Sequence, residues 1–169
     1  DSKNEIIGEG TFIKEENGII FNDSISYSIM NLTNLIYNKI LVLDTVKVKI
    51  ELISGGYNDG NTAFILYNGT QMISENSVRG HHVYIFERKT LKPIWGRRFD
   101  TFNSSDVSAY QNFLDTLSDK FYLAVVIKDE GSTNLNSTIR NLLKQFGSKY
   151  ADQISFRASW SMLGYKGAP

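Results

Sequence analysis

Phe121-Tyr122-Leu123-Ala124-Val125-Val126-Ile127-Lys128-Asp129-Glu130-Gly131-Ser132 is the stretch from which the architecture can be read. Its first part is an unbroken apolar run rich in β-branched and aromatic side chains, the pattern of a strand buried on both faces. Its second part is a polar loop with a glycine for a sharp turn. A strand covered on both sides needs a layer above it and a layer below it, so the flanking segments must supply them.

Downstream, Leu135, Ile139, Leu142, Leu143 and Phe146 recur at helical spacing, and Gly147 is a natural stop. Trp160 to Tyr165 then reads as a short closing strand. Upstream, Asn103-Ser104-Ser105-Asp106 offers N-cap candidates, and Val107, Tyr110, Phe113, Leu114 and Leu117 follow at helical spacing. Before that the period is two. His82–Glu87 and Lys92–Phe99 form a hairpin around 88–91, with Pro93 suited to an edge. Ala63–Tyr67 and Thr70–Ile73 flank Asn68-Gly69, a two-residue hairpin turn that needs positive φ. In 40–53, Val46, Val48, Ile50 and Leu52 alternate with Lys47, Lys49 and Glu51, and Ser54–Gly60 is a polar turn. The class is α+β, with hairpins first and then helix–strand–helix–strand packed on them.

Residues 1–46 read as a separate N-terminal extension. Thr11–Lys14 and Ile19–Phe21 flank Asn17-Gly18, a hairpin signal, while 26–38 carries mixed signals.

The chain has 169 residues, 18 basic and 18 acidic side chains, and no cysteine. A zero net charge argues against nucleic acid, which is engaged by a basic field. The absence of cysteine excludes a disulfide framework and thiolate metal sites. No apolar run reaches the roughly 18 residues of a membrane helix, and no signal peptide opens the sequence. The expectation is a soluble piece of a longer protein, with no nucleic acid and no membrane insertion.

The chemistry-bearing candidate is the loop Lys128-Asp129-Glu130-Gly131-Ser132, because ligands favour the carboxyl ends of strands in covered sheets. Asp129 and Glu130 are adjacent, so at most one faces a ligand. The bland alternative has one capping the following helix and the other solvated. Glycoside hydrolysis would need a second carboxylate across a cleft, for instance Asp100. His81-His82 point to opposite faces of a strand, one buried and one exposed, which disfavours a metal site. Arg97-Arg98 near Trp95 is a basic and aromatic cluster, by default a solvated hairpin face. No Gly-x-Ser-x-Gly, P-loop or dinucleotide fingerprint occurs. Asn-x-Ser/Thr acceptors occur at Asn22, Asn31, Asn68, Asn103 and Asn136.

Seven short motifs follow one another in a familiar order: Lys49 to Gly56; Asn68-Gly69-Thr70; Arg79-Gly80-His81-His82-Val83-Tyr84-Ile85-Phe86; Arg98-Phe99-Asp100-Thr101; Lys128 to Ser132; Leu142-Leu143 with Phe146-Gly147-Ser148; and Phe156 to Trp160, closed by Gly164-Tyr165-Lys166-Gly167. Together they resemble the interleukin-like EMT inducer, or GG, domain. That family includes pancreatic-derived factor cytokines, the stem of protein O-mannose N-acetylglucosaminyltransferase and, distantly, the hinge connector of phage long tail fibres. The resemblance covers about 47–167, so the domain is assigned to 47–169. It implies a single compact domain of two antiparallel sheets with two or three flanking helices. It implies a non-catalytic module with no cofactor and no metal. From the glycosyltransferase stem it implies a carbohydrate site, whose acid and arginine match Asp129 and Arg157; Trp160 matches a core tryptophan. The lack of cysteine departs from the animal members and points to a phage or bacterial source. The expected partner is a glycan or, if the module is a fibre connector, a neighbouring structural protein in a larger assembly. In the connector alternative Asp129 and Arg157 pair and pin the loop. The expected location is extracellular or a virion surface.

Overall fold

The computed structural model describes residues 48–73 and 78–169 in full, and within 1–47 only the backbone of four strands. The chain falls into two units, Asp1–Lys47 and Val48–Pro169. In the first, β1 (Glu5–Gly10) pairs antiparallel with β4 (Ile25–Ile29). There β2 (Ile13–Glu15) pairs with β3 (Gly18–Ile20). The mixed signals of 26–38 and the acceptors Asn22 and Asn31 otherwise lie outside the described residues.

The second unit runs β5 (Ile50–Gly56), β6 (Ala63–Tyr67), β7 (Thr70–Gln71), β8 (Gly80–Glu87), β9 (Pro93–Phe99), α1 (Ser104–Thr116), β10 (Phe121–Asp129), α2 (Ser137–Gln145), a 3-10 turn (Ala151–Gln153) and β11 (Ser161–Tyr165). It is α+β. Asn103 and Asn136 cap the two helices, accepting from the N–H groups of Ser105 and Ile139. Gly147 ends α2 at φ +93°, its N–H bonding Lys144 O.

β10 organises the sheet. One edge pairs antiparallel with β8 from Phe121↔Glu87 to Lys128↔Gly80. Its other edge pairs with β11 from Tyr122↔Tyr165 to Val126↔Ser161, then switches to β5, in parallel, at Lys128↔Gly55 and Asp129↔Gly56. The order is β7-β6-β5-β10-β8-β9, with β11 also on β10. The two antiparallel halves therefore form one mixed, curled sheet instead of two separate sheets. The joint is sealed by Ser54. Its hydroxyl donates to Ile127 O (2.7 Å) and accepts from the N–H groups of Ile127 (3.2 Å) and Trp160 (3.0 Å). Three partners saturate a hydroxyl, so Ser54 gives the Trp160 N–H its acceptor and shares the Ile127 N–H with Trp160 O at the fork.

Both faces of β10 are covered, as its sequence requires. Leu123, Val125 and Ile127 pack with Val83, Ile85 and Phe99 under Tyr110, Leu114, Ile139, Leu143 and Phe146 of the helical side. Ala124 and Val126 pack with Phe86, Ala63, Ile65 and Ile73, where the β5–β7 half curls over. That curl corrects the expectation for the histidines. His81 and His82 face opposite sides, yet both are buried, because the second face has its own roof.

Candidate functional site

At one end of the sheet, β5, β10 and β9 finish and β8 begins, so the loops after Gly56, Phe99 and Asp129 meet the segment before β11. The polar loop anticipated from sequence lies there, at the carboxyl end of β10.

Glu130 holds this end together. It is 3% exposed. One carboxylate oxygen accepts from the N–H of Ser132, the hydroxyl of Ser132 (2.7 Å) and the N–H of Thr133 (3.0 Å). The other accepts from the N–H of Arg157 at 2.6 Å. Burial alone would raise its pKa, but these hydrogen bonds outweigh burial and hold it below the ordinary carboxylate range. Two expectations are corrected here. The acid does not cap the following helix, which Asn136 does; it closes the turn before it. Nor is the loop pinned by an Asp129–Arg157 pair, since no such pair exists among the described residues.

Asp129 has no such set of donors. It is half-buried, and its carboxylate accepts no hydrogen bond among the described residues. Its backbone is at φ +60°, as is that of Arg157. This left-handed conformation costs a residue with a side chain about 1 kcal/mol, and such strain concentrates at ligand sites. Register explains its persistence. Tyr57 N–H donates to Asp129 O (2.9 Å), and the chain at Arg157 presses so closely on Gly56 that a Cβ there would lie 2.0 Å from Arg157 O. Gly56 N–H also donates to Ser159 Oγ (3.0 Å), which donates in turn to Asp59 (2.7 Å).

The guanidinium of Arg157 stacks on two aromatic rings, with Cζ 4.0 Å from the Tyr57 centroid and 5.1 Å from that of Phe156. Those rings are 49% and 66% exposed. On the other flank, Arg79 grips Asp100 with two bonds (3.0 and 2.8 Å) and lies 4.1 Å above the Phe102 ring. The Asp100 hydrogen bond raises the Arg79 pKa, helped by the fields of Asp100, Asp129 and Glu130, so both acids of the loop act on this flank. Burial works to raise the Asp100 carboxyl, but the hydrogen bonds from Arg79 and Phe102 N–H hold it low. The carboxylate that hydrolysis would recruit is thus already engaged. Of the Arg97-Arg98 pair, Arg97 lies exposed over Phe99 and Arg98 reaches Arg79 O (3.0 Å). Trp95 packs on Phe113, away from the loop.

Beneath the loop runs a buried polar layer. His81 Nε2 bonds Gly131 O (2.7 Å) and Thr101 Oγ1 donates to the same oxygen (3.0 Å). Nε2 must therefore carry the proton, and Nδ1 accepts from the Tyr110 hydroxyl at 3.2 Å. Burial pushes the His81 pKa down to about 4, so the ring is neutral at pH 7. Trp160 tilts against His81 at 6.2 Å, a packing role. Among the described residues no group of three His, Asp or Glu could hold a metal, and no helix is long and apolar enough to cross a membrane.

The sequence pointed to Asp129 and Arg157, and the structure brings both to one end of the sheet. It did not point to Glu130 as the pin, nor to Tyr57, Phe156 and Arg79 beside them. Residues 79–168, which carry most of this site, match the family described as Interleukin-like EMT inducer. The chain belongs to that family. Tyr57 and Gly56 lie outside the matched part. The interleukin-like EMT inducer relatives include the mouse (Mus musculus) cell migration-inducing and hyaluronan-binding protein, 35% identical over 92 residues, which is 54% of this chain and 7% of that protein. Human (Homo sapiens) protein FAM3B is 29% identical over 119 residues, covering 69% of this chain and 50% of the relative. Mouse protein FAM3D is 32% identical over 94 residues, covering 56% and 42%. The chain spans half or less of the length of these curated relatives.

Proposed function

We propose that this interleukin-like EMT inducer domain is a non-catalytic recognition module of a larger, extracellular protein, and that it binds carbohydrate at the end of β10. Asp129 accepts hydrogen bonds from sugar hydroxyls. Arg157 donates to ring or acetamide oxygens, and the exposed rings of Tyr57 and Phe156 offer faces on which a sugar can stack. The observation that carries this reading is Asp129 itself. It is a carboxylate without a hydrogen-bond donor among the described residues, held at φ +60° beside a stacked arginine. A buried acid that already satisfies the loop, Glu130, removes the structural reason for a second one. The relative named as hyaluronan-binding supports a sugar ligand. The connector alternative expected Asp129 and Arg157 to pair, and the described residues form no such pair, which favours the carbohydrate reading. Hydrolysis through Asp100 or Glu130 is disfavoured because hydrogen bonds hold both carboxyls low, opposite to what a general acid needs.

A single site of this size gives weak affinity, raised by avidity in a multimeric parent. The test is a glycan array with the wild-type chain and Asp129→Asn. Asparagine is isosteric and tolerates the left-handed backbone, which alanine does not. The expected result is binding that Asp129→Asn abolishes with the thermal midpoint unchanged. A blank array, or binding that survives in Asp129→Asn, refutes the reading.

A further inference from the structure

At the site the four strand ends are contiguous. Asp129 pairs with Gly56, Lys128 with Gly80, and His81 with Phe99. Strands lie about 4.8 Å apart, so the row from β5 through β10 and β8 to β9 spans roughly 14 Å. Each end of that row carries an exposed aromatic ring with a guanidinium on its face. Tyr57, 49% exposed, follows β5 and bears Arg157; Phe102, 50% exposed, follows β9 and bears Arg79.

Phe102 contributes nothing to the core, yet its position is fixed. Its N–H donates to Asp100 (3.1 Å), its carbonyl accepts from Asn134 Nδ2 (3.0 Å), and neighbouring Thr101 bonds Gly131 O (3.0 Å). Phe102 is thereby tied to the same loop that presents Asp129. An exposed ring on a rigid backbone, backed by a planar cation that is itself locked, is a preorganised stacking surface. A single pyranose held by Asp129 and Arg157 cannot cover both ends of the row.

Building on the carbohydrate reading above, we propose that the ligand is an oligosaccharide of at least three sugars lying across the ends of β5, β10, β8 and β9, and that Phe102 forms a second subsite stacking on a sugar beyond the one held by Asp129.

The experiment is calorimetric titration of the 169-residue chain with N-acetylglucosamine, its β-linked trimer and tetramer, and hyaluronan tetrasaccharide and hexasaccharide. The wild type should bind at least one of the oligomer series more tightly than the monosaccharide. Phe102→Ala should weaken oligomer binding about tenfold and leave the monosaccharide unchanged, which also shows that the variant is folded. Phe102→Trp should report oligomer, and not monosaccharide, through its indole emission. Asp129→Asn should abolish binding throughout. If Asp129→Asn abolishes binding but affinity does not grow with length, or Phe102→Ala binds oligomers like the wild type, the second subsite is overturned and the carbohydrate reading stands. If the wild type binds none of these sugars, or Asp129→Asn binds them normally, the carbohydrate reading falls and takes the second subsite with it.

Discussion

Arg157 and Glu130 form a division of labour between a strained residue and the group that restrains it. Glu130 takes the Arg157 N–H at 2.6 Å and two N–H groups of its own loop, so the left-handed backbone at φ +60° is overdetermined. Two substitutions separate the roles. Arg157→Gly removes the guanidinium and relieves the conformational cost, so thermal unfolding should show a midpoint unchanged or raised while sugar binding disappears. Glu130→Gln places an amide among donors, and denaturant titration should show a loss of about 1–3 kcal/mol. Equal stability of Glu130→Gln and wild type would mean that the loop is held by something else. The sequence showed that only one of the adjacent carboxylates could face a ligand. Only the family resemblance singled out Asp129; local pattern could not, because the backbone at Asp129 has a positive φ where it pairs with Gly56, far away in the chain.

At the scale of elements, β10 and the two helices were legible because burial and period are local properties. An apolar run without alternation must be covered twice, and Asn103, Asn136 and Gly147 stand where helix ends need them. The parallel joint between β5 and β10 was not legible. It is only two residue pairs long, and it depends on a serine that looks like any other in a polar turn. Ser54→Ala should cost about 1–3 kcal/mol, since the Trp160 N–H would lose its acceptor, while the Ile127 N–H would keep Trp160 O. An unfolding midpoint equal to that of the wild type would deny the fork its role. The joint also decides where the two halves of the sheet bring their loops, so sugar affinity should fall with stability in this variant.

For the folded unit as a whole, the buried histidine sets the response to acid. His81 titrates near pH 4 when folded and near its ordinary 6.5 when unfolded. Between those values the unfolded chain binds the extra proton. Stability is therefore full above about pH 6.5 and declines as pH falls toward 4, by up to roughly 3 kcal/mol. Glu130 and Asp100 have depressed folded values, so their contributions are lost at still lower pH. Denaturation midpoints measured at pH 7 and about pH 4.5 should differ in this direction, and His81→Gln should flatten the difference. A wild-type midpoint that does not fall on acidification would contradict the neutral buried ring. The α+β class was readable from the whole sequence, whereas the burial of both histidines was not, because it requires the curl of the β5–β7 half.

The contact between Gly56 and the segment before β11 has a kinetic meaning. Gly56 and Ser159 are 103 residues apart in the chain and share a hydrogen bond. Pairings of such high sequence separation carry a large loop-closure cost. In the folded chain the left-handed backbone of Asp129 is tied to β5 through the Tyr57 N–H, and that of Arg157 to Glu130. A nascent or truncated chain can own every residue of the surface and still not display it. Display of this end of the sheet thus requires the polypeptide to be in place from Gly56 to its closing strand.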